Sequence, residues 1–223
     1  LDDRMKSKRL SSLNKYLQYY ASVDKPLIIA NELRIDKYTT QAPVTAMPSE
    51  QFFHKLNNRL YTRQLAELIG QELHDVGINA IMSPNLHIED TDDLRNKVDP
   101  YAYHGLAMIQ GLRNSNVVSF VTGFPSSDEI DSFVKPDRRK SNLYPFYEVI
   151  KKGVDVLTIS EISERLIDEQ IRRNLQYENV IAYRLADNFT SAEDVAEQVI
   201  HAINKGINFV ILPFTFRKQV DIL

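Results

Sequence analysis

Six short apolar runs recur along the chain: PLIIANE at 26–32, NAIMSP at 79–84, VVSFVT at 117–122, VDVLTIS at 154–160, NVIAYRL at 179–185 and INFVILP at 207–213. Each is too short for a helix and rich in Val, Ile or Phe. Their apolarity is continuous rather than alternating, which predicts strands covered on both faces, as in parallel sheets. Amphipathic segments separate them. In 58–76 the residues Leu60, Leu65, Leu68, Ile69 and Leu73 fall near one helical face, and Gly77 follows as a cap. The segment 99–114 predicts a helix with Asp99 at the N-cap and Pro100 in its first turn. A helix over 143–152 ends in lysines before Gly153, and one over 190–205 starts at Thr190 or Ser191 and closes at Gly206. Residues 161–175 predict one further helix or two short ones.

The order is therefore βαβα, with strand starts about 25 to 50 residues apart, the scale of βα units. The expectation is an α/β fold, a TIM-barrel-like (β/α) arrangement that is an incomplete or distorted (β/α)8 barrel, as one domain over 1–223. Residues 1–25 form its N-terminal helix and lead-in. No Gly-rich first turn favours the alternative, a doubly wound dinucleotide fold. The long irregular stretches 33–48, 85–98 and 123–142 all follow strands, which in a barrel puts them on the ligand-binding face.

Composition narrows the function classes. A net charge of −3 gives no general attraction to nucleic acid or acidic membranes, so no nucleic-acid partner is expected. There are no cysteines, which removes disulfide and thiolate chemistry. No apolar run approaches the ~18 residues of a membrane span, and the basic, polar start LDDRMKSKRLSS has no signal-peptide apolar core. His54, His74, His87, His104 and His201 show no metal-binding spacing, so neither metal nor cofactor is implied. His74 and His201 fall within helices and are expected at the surface or at its boundary with the core. The basic run KPDRRK at 135–140 reads as a solvated loop. The Tyr-rich stretch NKYLQYY at 14–20 reads in two ways, as cover for the domain's own core or as a surface for a protein partner.

Several stretches resemble the N-terminal barrel domain of glycoside hydrolase family 3, whose bacterial members include β-N-acetylglucosaminidases. IIANELR matches a strand ending in D-Q-E-G-G, with Glu32 at the Glu position. DVGINAIMSPNLHI (75–88) is similar to the family's GIN turn and the strand ending A-P-V-L-D. DLRNKVDPYAYHGLAMIQGL (93–112) is similar to its Arg loop, D-P and Q-G-L helix. FVTGFPSSDEIDSF stands where the family has K-H-F-P-G-H-G and D-S-H, and LYPFYEVIKKGVDVLTIS echoes its L-x-P-F helix and the strand after it. RRNLQYENVIAYR resembles R-x-x-L-G-[FY]-x-G-V-V. The resemblance spans about 26–213.

The resemblance also assigns the chemistry. The sugar-binding Lys-His of the family becomes Thr122-Gly123, and the acid/base His becomes Ser127. The Asp of D-S-H persists as Asp131, while its His becomes Phe133. The sugar-holding Asp becomes His87. The nucleophilic Asp becomes Arg184, or Tyr183 one residue earlier. Glu32, Arg95, Phe124, Pro125 and Asp131 match. A retaining glycosidase needs two carboxyl groups about 5 Å apart, and a guanidinium, protonated and without a free lone pair, does not attack an anomeric carbon.

Three expectations follow. The first is a non-catalytic relative kept as a binding or scaffolding domain, with Glu32, His87, Arg95, Thr122, Ser127, Asp131 and Arg184 as a binding surface for an amino sugar or peptidoglycan fragment, in the periplasm or cell envelope of a bacterium, with the cytoplasm as the alternative. The second is an active β-N-acetylhexosaminidase-type enzyme using shifted carboxylates. Asp131, Asp187 and Glu32 are its candidates, with Asp128, Glu129 and Glu161 nearby in the same kinds of loop. Asp187-Asn188 also reads as an ordinary turn into the next helix. The third is an interaction module with the sugar cleft closed.

Overall fold

The computed structural model describes residues 3–21, 25–31, 45, 48, 50–88, 94–131, 141–186 and 191–212. The helices are α1 (Asp3–Tyr20), α2 (Glu50–Leu56), α3 (Arg59–Asp75), α4 (Leu94–Asn114), α5 (Ser127–Asp131), α6 (Tyr144–Lys151) and α7 (Ala192–Asn204). The strands are β1 (Ala30–Asn31), β2 (Ala80–Ile81), β3 (Val118–Val121), β4 (Val156–Ile159), β5 (Val180–Arg184) and β6 (Phe209–Ile211). All six apolar runs are thus strands. Two compact units emerge, Leu1–Asn85 with Asp99–Phe120, and Leu86–Val98 with Val121–Leu223.

In the first unit β1, β2 and β3 pair in parallel, each next to its successor, with Ala30 opposite Ala80 and Ala80 opposite Val118. The core lies between this sheet and the helices, where Ile69, Leu73, Ile81, Met108 and Leu112 are all buried. The helix over 58–76 forms as expected, with Asn58 Oδ1 accepting from the Tyr61 N–H at 3.1 Å. Its buried stripe is Thr62, Ala66, Ile69, Gly70 and Leu73, whereas Leu60 and Leu68 are exposed. The inward line follows small residues because α4 comes very close. A Cβ on Gly111 would lie 2.3 Å from the Arg63 carbonyl oxygen, and one on Gly70 would lie 2.8 Å from Ser115 Cβ.

One other expectation needs correction, and one is met with a different helix type. The helix expected from Asp99 starts at Leu94, so Pro100 lies inside it. The missing N–H removes one hydrogen bond early in a 21-residue helix, and the helix continues through it. The segment 161–175 contains a single π-helix, Arg165–Asn174, burying Leu166, Ile167, Gln170 and Ile171. The Leu175 N–H reaches back to the Gln170 oxygen at 2.9 Å, the i to i−5 spacing of that helix.

In the second unit β4, β5 and β6 are again parallel and in sequence order, with Ile159 opposite Tyr183 and Arg184 opposite Ile211. Helix ends and strand starts share one device across both units. Gly77 and Gly206 take positive φ, +81° and +82°, and the following Ile78 and Ile207 donate back to Leu73 and Ala202 at 2.9 and 3.2 Å. The next residue is an asparagine in both places. Asn79 Oδ1 accepts from the Ile29 N–H at 2.8 Å, and Asn208 Oδ1 from the Ile181 N–H at 2.9 Å. Asn179, just before β5, likewise donates to the Val154 carbonyl at 3.0 Å. Each asparagine ties the start of its strand to the backbone of the preceding one.

Candidate functional site

The second unit gathers chemistry at the C-terminal ends of its strands, the end opposite those asparagines. Beyond β3 the chain turns at Gly123, whose φ of +80° suits glycine. Phe124 then anchors the loop. Its ring meets Phe146 of α6 edge-on, 4.9 Å between centroids, and both are buried. Glu129 reaches back over the start of α5: the Ser126 N–H and hydroxyl both donate to its Oε2, at 2.7 and 3.1 Å. Glu129 is therefore occupied as a helix cap. The described part of the polar loop, residues 123–131, is thus held at Phe124 and again at Ser126.

That geometry aims Ser127 at Glu161, which follows β4. The Ser127 N–H donates to Glu161 Oε2 at 2.9 Å and its hydroxyl to Oε1 at 2.7 Å. Ser163 Oγ lies 2.9 Å from Ser127 Oγ and supplies another hydrogen bond to the carboxylate. Partial burial works to raise the Glu161 carboxyl. The bonds from the Ser127 hydroxyl, its N–H and Ser163 outweigh burial and hold it below the usual carboxylate range. Glu161 is thus an ionised acceptor at neutral pH, the opposite of the protonated carboxyl that a general acid requires.

Arg184 is the last residue of β5 and is half-buried. Its neighbour Tyr183 lines a groove of ≈ 340 Å³ with Ile162, Asp194, Glu197, Gln198 and His201, so Tyr183 faces α7. Burial pushes the Tyr183 hydroxyl up. Successive strand residues point to opposite faces, so Arg184 points away from α7. His87 is half-buried between Leu86 and Ile88, which are buried. The Leu86 N–H donates to the Thr122 carbonyl at 3.0 Å, which brings the irregular segment that carries His87, beyond the end of β2, beside Thr122.

The structure therefore places His87, Thr122, Ser127 and Arg184 at strand ends or the loops that leave them. Glu32 and Asp187 lie outside the described residues, as do Phe133 and the KPDRRK run. Arg95 falls in the first turn of α4 and Asp131 at the end of α5, with their side chains outside the description. Sequence reasoning noted Glu161 at a strand end and missed its pairing with Ser127, 34 residues away. It also missed His104, which is 2% exposed on α4, its Nδ1 2.8 Å from the Thr62 hydroxyl. Burial, and then the nearby Arg59 charge, lower the His104 imidazole from its ordinary value. His74 and His201 are exposed. Among the described residues no group of three His, Asp or Glu is placed to hold a metal ion, and no helix is long and apolar enough to cross a membrane.

Parallel strands, with a helix after each of β1 to β5 and polar groups at their C-terminal ends, define an α/β barrel-like domain. Comparison makes the class specific. Residues 2–215 match the family described as the glycosyl hydrolase family 3 N terminal domain, and the chain belongs to that family. The solved structure of NagZ from Neisseria gonorrhoeae superposes with a TM-score of 0.75 at 18% identity, covering 97% of this chain and 73% of that one. A β-N-acetylhexosaminidase from Beutenbergia cavernae gives 0.71 at 18% identity, covering 91% and 72%. Beta-hexosaminidase A of Pseudoalteromonas piscicida is 21% identical over 73% of this chain, which spans 35% of that relative's length. The fold is the incomplete TIM-barrel-like α/β arrangement expected, with six strands among the described residues.

Proposed function

We propose that this domain is a glycoside hydrolase family 3 relative that binds an amino-sugar glycan, such as a peptidoglycan fragment, without hydrolysing it. The observation that carries the reading is Arg184. By the family resemblance it takes the position of the attacking carboxylate, at the end of β5 and on the face turned away from α7. A guanidinium remains protonated and opposes the positive charge that develops on the sugar ring. The second role fares no better. Ser127 stands for the acid/base histidine, and the carboxylate it contacts, Glu161, is held ionised with both oxygens engaged.

An amino-sugar ligand is supported by the relatives. NagZ of Neisseria gonorrhoeae has been solved with N-trifluoroacetyl-D-glucosamine, and the curated relative is a hexosaminidase. The groups at the strand ends, His87, Thr122 and Arg184, suit sugar hydroxyls and a carboxylate. The reading places the protein in the bacterial cell envelope, where such glycans occur.

The test uses the full chain with 4-nitrophenyl N-acetyl-β-glucosaminide for turnover and calorimetry with N-acetylglucosamine for binding. The expected result is no release above buffer together with saturable binding that His87→Ala weakens about tenfold, the loss of one or two hydrogen bonds. Turnover above buffer that changes in Arg184→Ala would refute the loss of catalysis. Absence of saturable binding would refute the retained sugar site.

A further inference from the structure

The outward face of α1 has no role in the site above, and its make-up is specific. The helix is fastened along one side. Leu10 packs on the core cluster, Asn14 is buried with its Nδ2 donating to the Val76 carbonyl at 2.7 Å, and Gln18 bonds both the Leu27 carbonyl at 2.7 Å and the Leu27 N–H at 3.1 Å. Residues 10, 14 and 18 form one stripe. At ~100° per residue the opposite stripe is Met5, Arg9, Leu13, Tyr16 and Tyr20, flanked by Tyr19 on one side and Leu17 on the other.

That opposite side is where large apolar groups stand in solvent. Met5 is 49% exposed, Leu13 53%, Tyr16 59%, Tyr19 82% and Tyr20 68%. The rings of Tyr16, Tyr19 and Tyr20 lie against each other, with centroids 4.6 and 5.4 Å apart, as a continuous aromatic surface. The expectation that these tyrosines cover the domain's core is thereby corrected: Asn14 and Gln18 use the inward side for hydrogen bonds, which rotates the tyrosines outward. Lys6, Lys8, Arg9 and Lys15 are also exposed on this helix. Residues 3–20 hold five cations and one acid, in a chain whose net charge is −3. The negative balance thus belongs to the rest of the chain.

We infer that this face of α1 is a docking surface for the interface of an anionic phospholipid bilayer. Tyrosine rings with polar tips, aliphatic side chains between them and lysines on both flanks match a layer that offers hydrocarbon and anionic headgroups within a few ångström of depth. At 1.5 Å per residue the helix presents this surface over about 27 Å. A second copy pairing face to face would set four exposed cations against four, which opposes association. The stripe is the outward side of a single helix.

The test is flotation of the full chain with vesicles of phosphatidylcholine alone and with about one third phosphatidylglycerol, at low and high salt. Binding is expected to the anionic vesicles only, and to fall steeply with salt. Lys8→Gln/Lys15→Gln is expected to weaken binding about 25-fold, at about 1 kcal/mol per surface lysine. Tyr16→Ser/Tyr19→Ser/Tyr20→Ser is expected to weaken it by about tenfold or more through lost apolar contact, with thermal unfolding confirming that both variants fold. Equal binding to neutral vesicles, no binding to anionic ones, or binding unaffected in both variants would overturn the inference. So would a dimer in sizing experiments that the tyrosine variant abolishes in the absence of any vesicle binding.

Discussion

Replacing Gly111 with alanine tests the packing of α3 against α4 through the sign of a single number. Glycine inside a helix costs about 1 kcal/mol relative to alanine, so on an open helix face Gly111→Ala stabilises. Here the new methyl would lie 2.3 Å from the Arg63 carbonyl oxygen and 2.8 Å from both Ala66 Cβ and the Glu67 nitrogen. Two of those atoms are backbone, so no rotamer change relieves the clash. The helices must part by about 1 Å to restore ordinary contact, which loosens Ile69, Met108 and Leu112 together. Overpacking of this kind costs about 1–3 kcal/mol or more, against which the propensity gain is about 1 kcal/mol. The expected net loss is about 2 kcal/mol, at the upper end of that range because backbone is involved. For a chain of this size that lowers Tm by roughly 4–8 °C. Thermal and urea unfolding followed by far-ultraviolet circular dichroism measure it. An unchanged or raised Tm would falsify the close helix approach, and with it the explanation of why Gly, within the Q-G-L of α4, occupies that position.

Two further outcomes concern pH and the serine–glutamate pair. His104 has a folded pKa below its ordinary 6.5, so the unfolded chain binds the proton more readily. Its contribution is intact above about pH 6.5 and is lost as pH falls from there toward the folded value, with a slope of at most about 1.4 kcal/mol per pH unit. Melting curves from pH 7.5 to 5.5 should show that slope, and His104→Gln should flatten it; an identical slope in the variant refutes the assignment. Ser127→Ala removes a hydroxyl from the Glu161 carboxylate and should cost about 1–3 kcal/mol at neutral pH. It should also move the Glu161 titration upward in carboxyl-carbon NMR. Because the folded pKa is depressed below 4.5, the cost should vanish as pH falls through it. A titration that does not move rules out the pair.

Local patterns carried the strands well because β2, β4 and most of β3 and β5 are buried on both faces and leave an uninterrupted apolar signature, whereas β1 and β6 are more exposed than that signature predicts. Helix faces were less legible. Leu60 and Leu68 look like core residues at helical spacing, yet the true inward line runs through Thr62, Ala66 and Gly70, chosen for size where α4 comes near. Pro100 reads as a helix start and is instead absorbed inside a longer helix. The site divides in the same way. Strand ends are visible from where apolar runs stop, so Arg184, Thr122 and His87 could be placed. The bond between Ser127 and Glu161 joins two loops 34 residues apart, and no periodicity in either segment announces it. His104 sits among residues that read as an ordinary amphipathic helix, and only packing reveals that it is sealed from water.

The asparagines that begin strands β2, β5 and β6 have a consequence for how such a protein changes over time. Each fastens the start of its strand through backbone partners whose identity does not matter, and in the second unit that end is opposite the one that carries Arg184. Architecture and strand-end chemistry therefore rest on different residues: the groups at the C-terminal ends can change while these ties at the strand starts are left untouched.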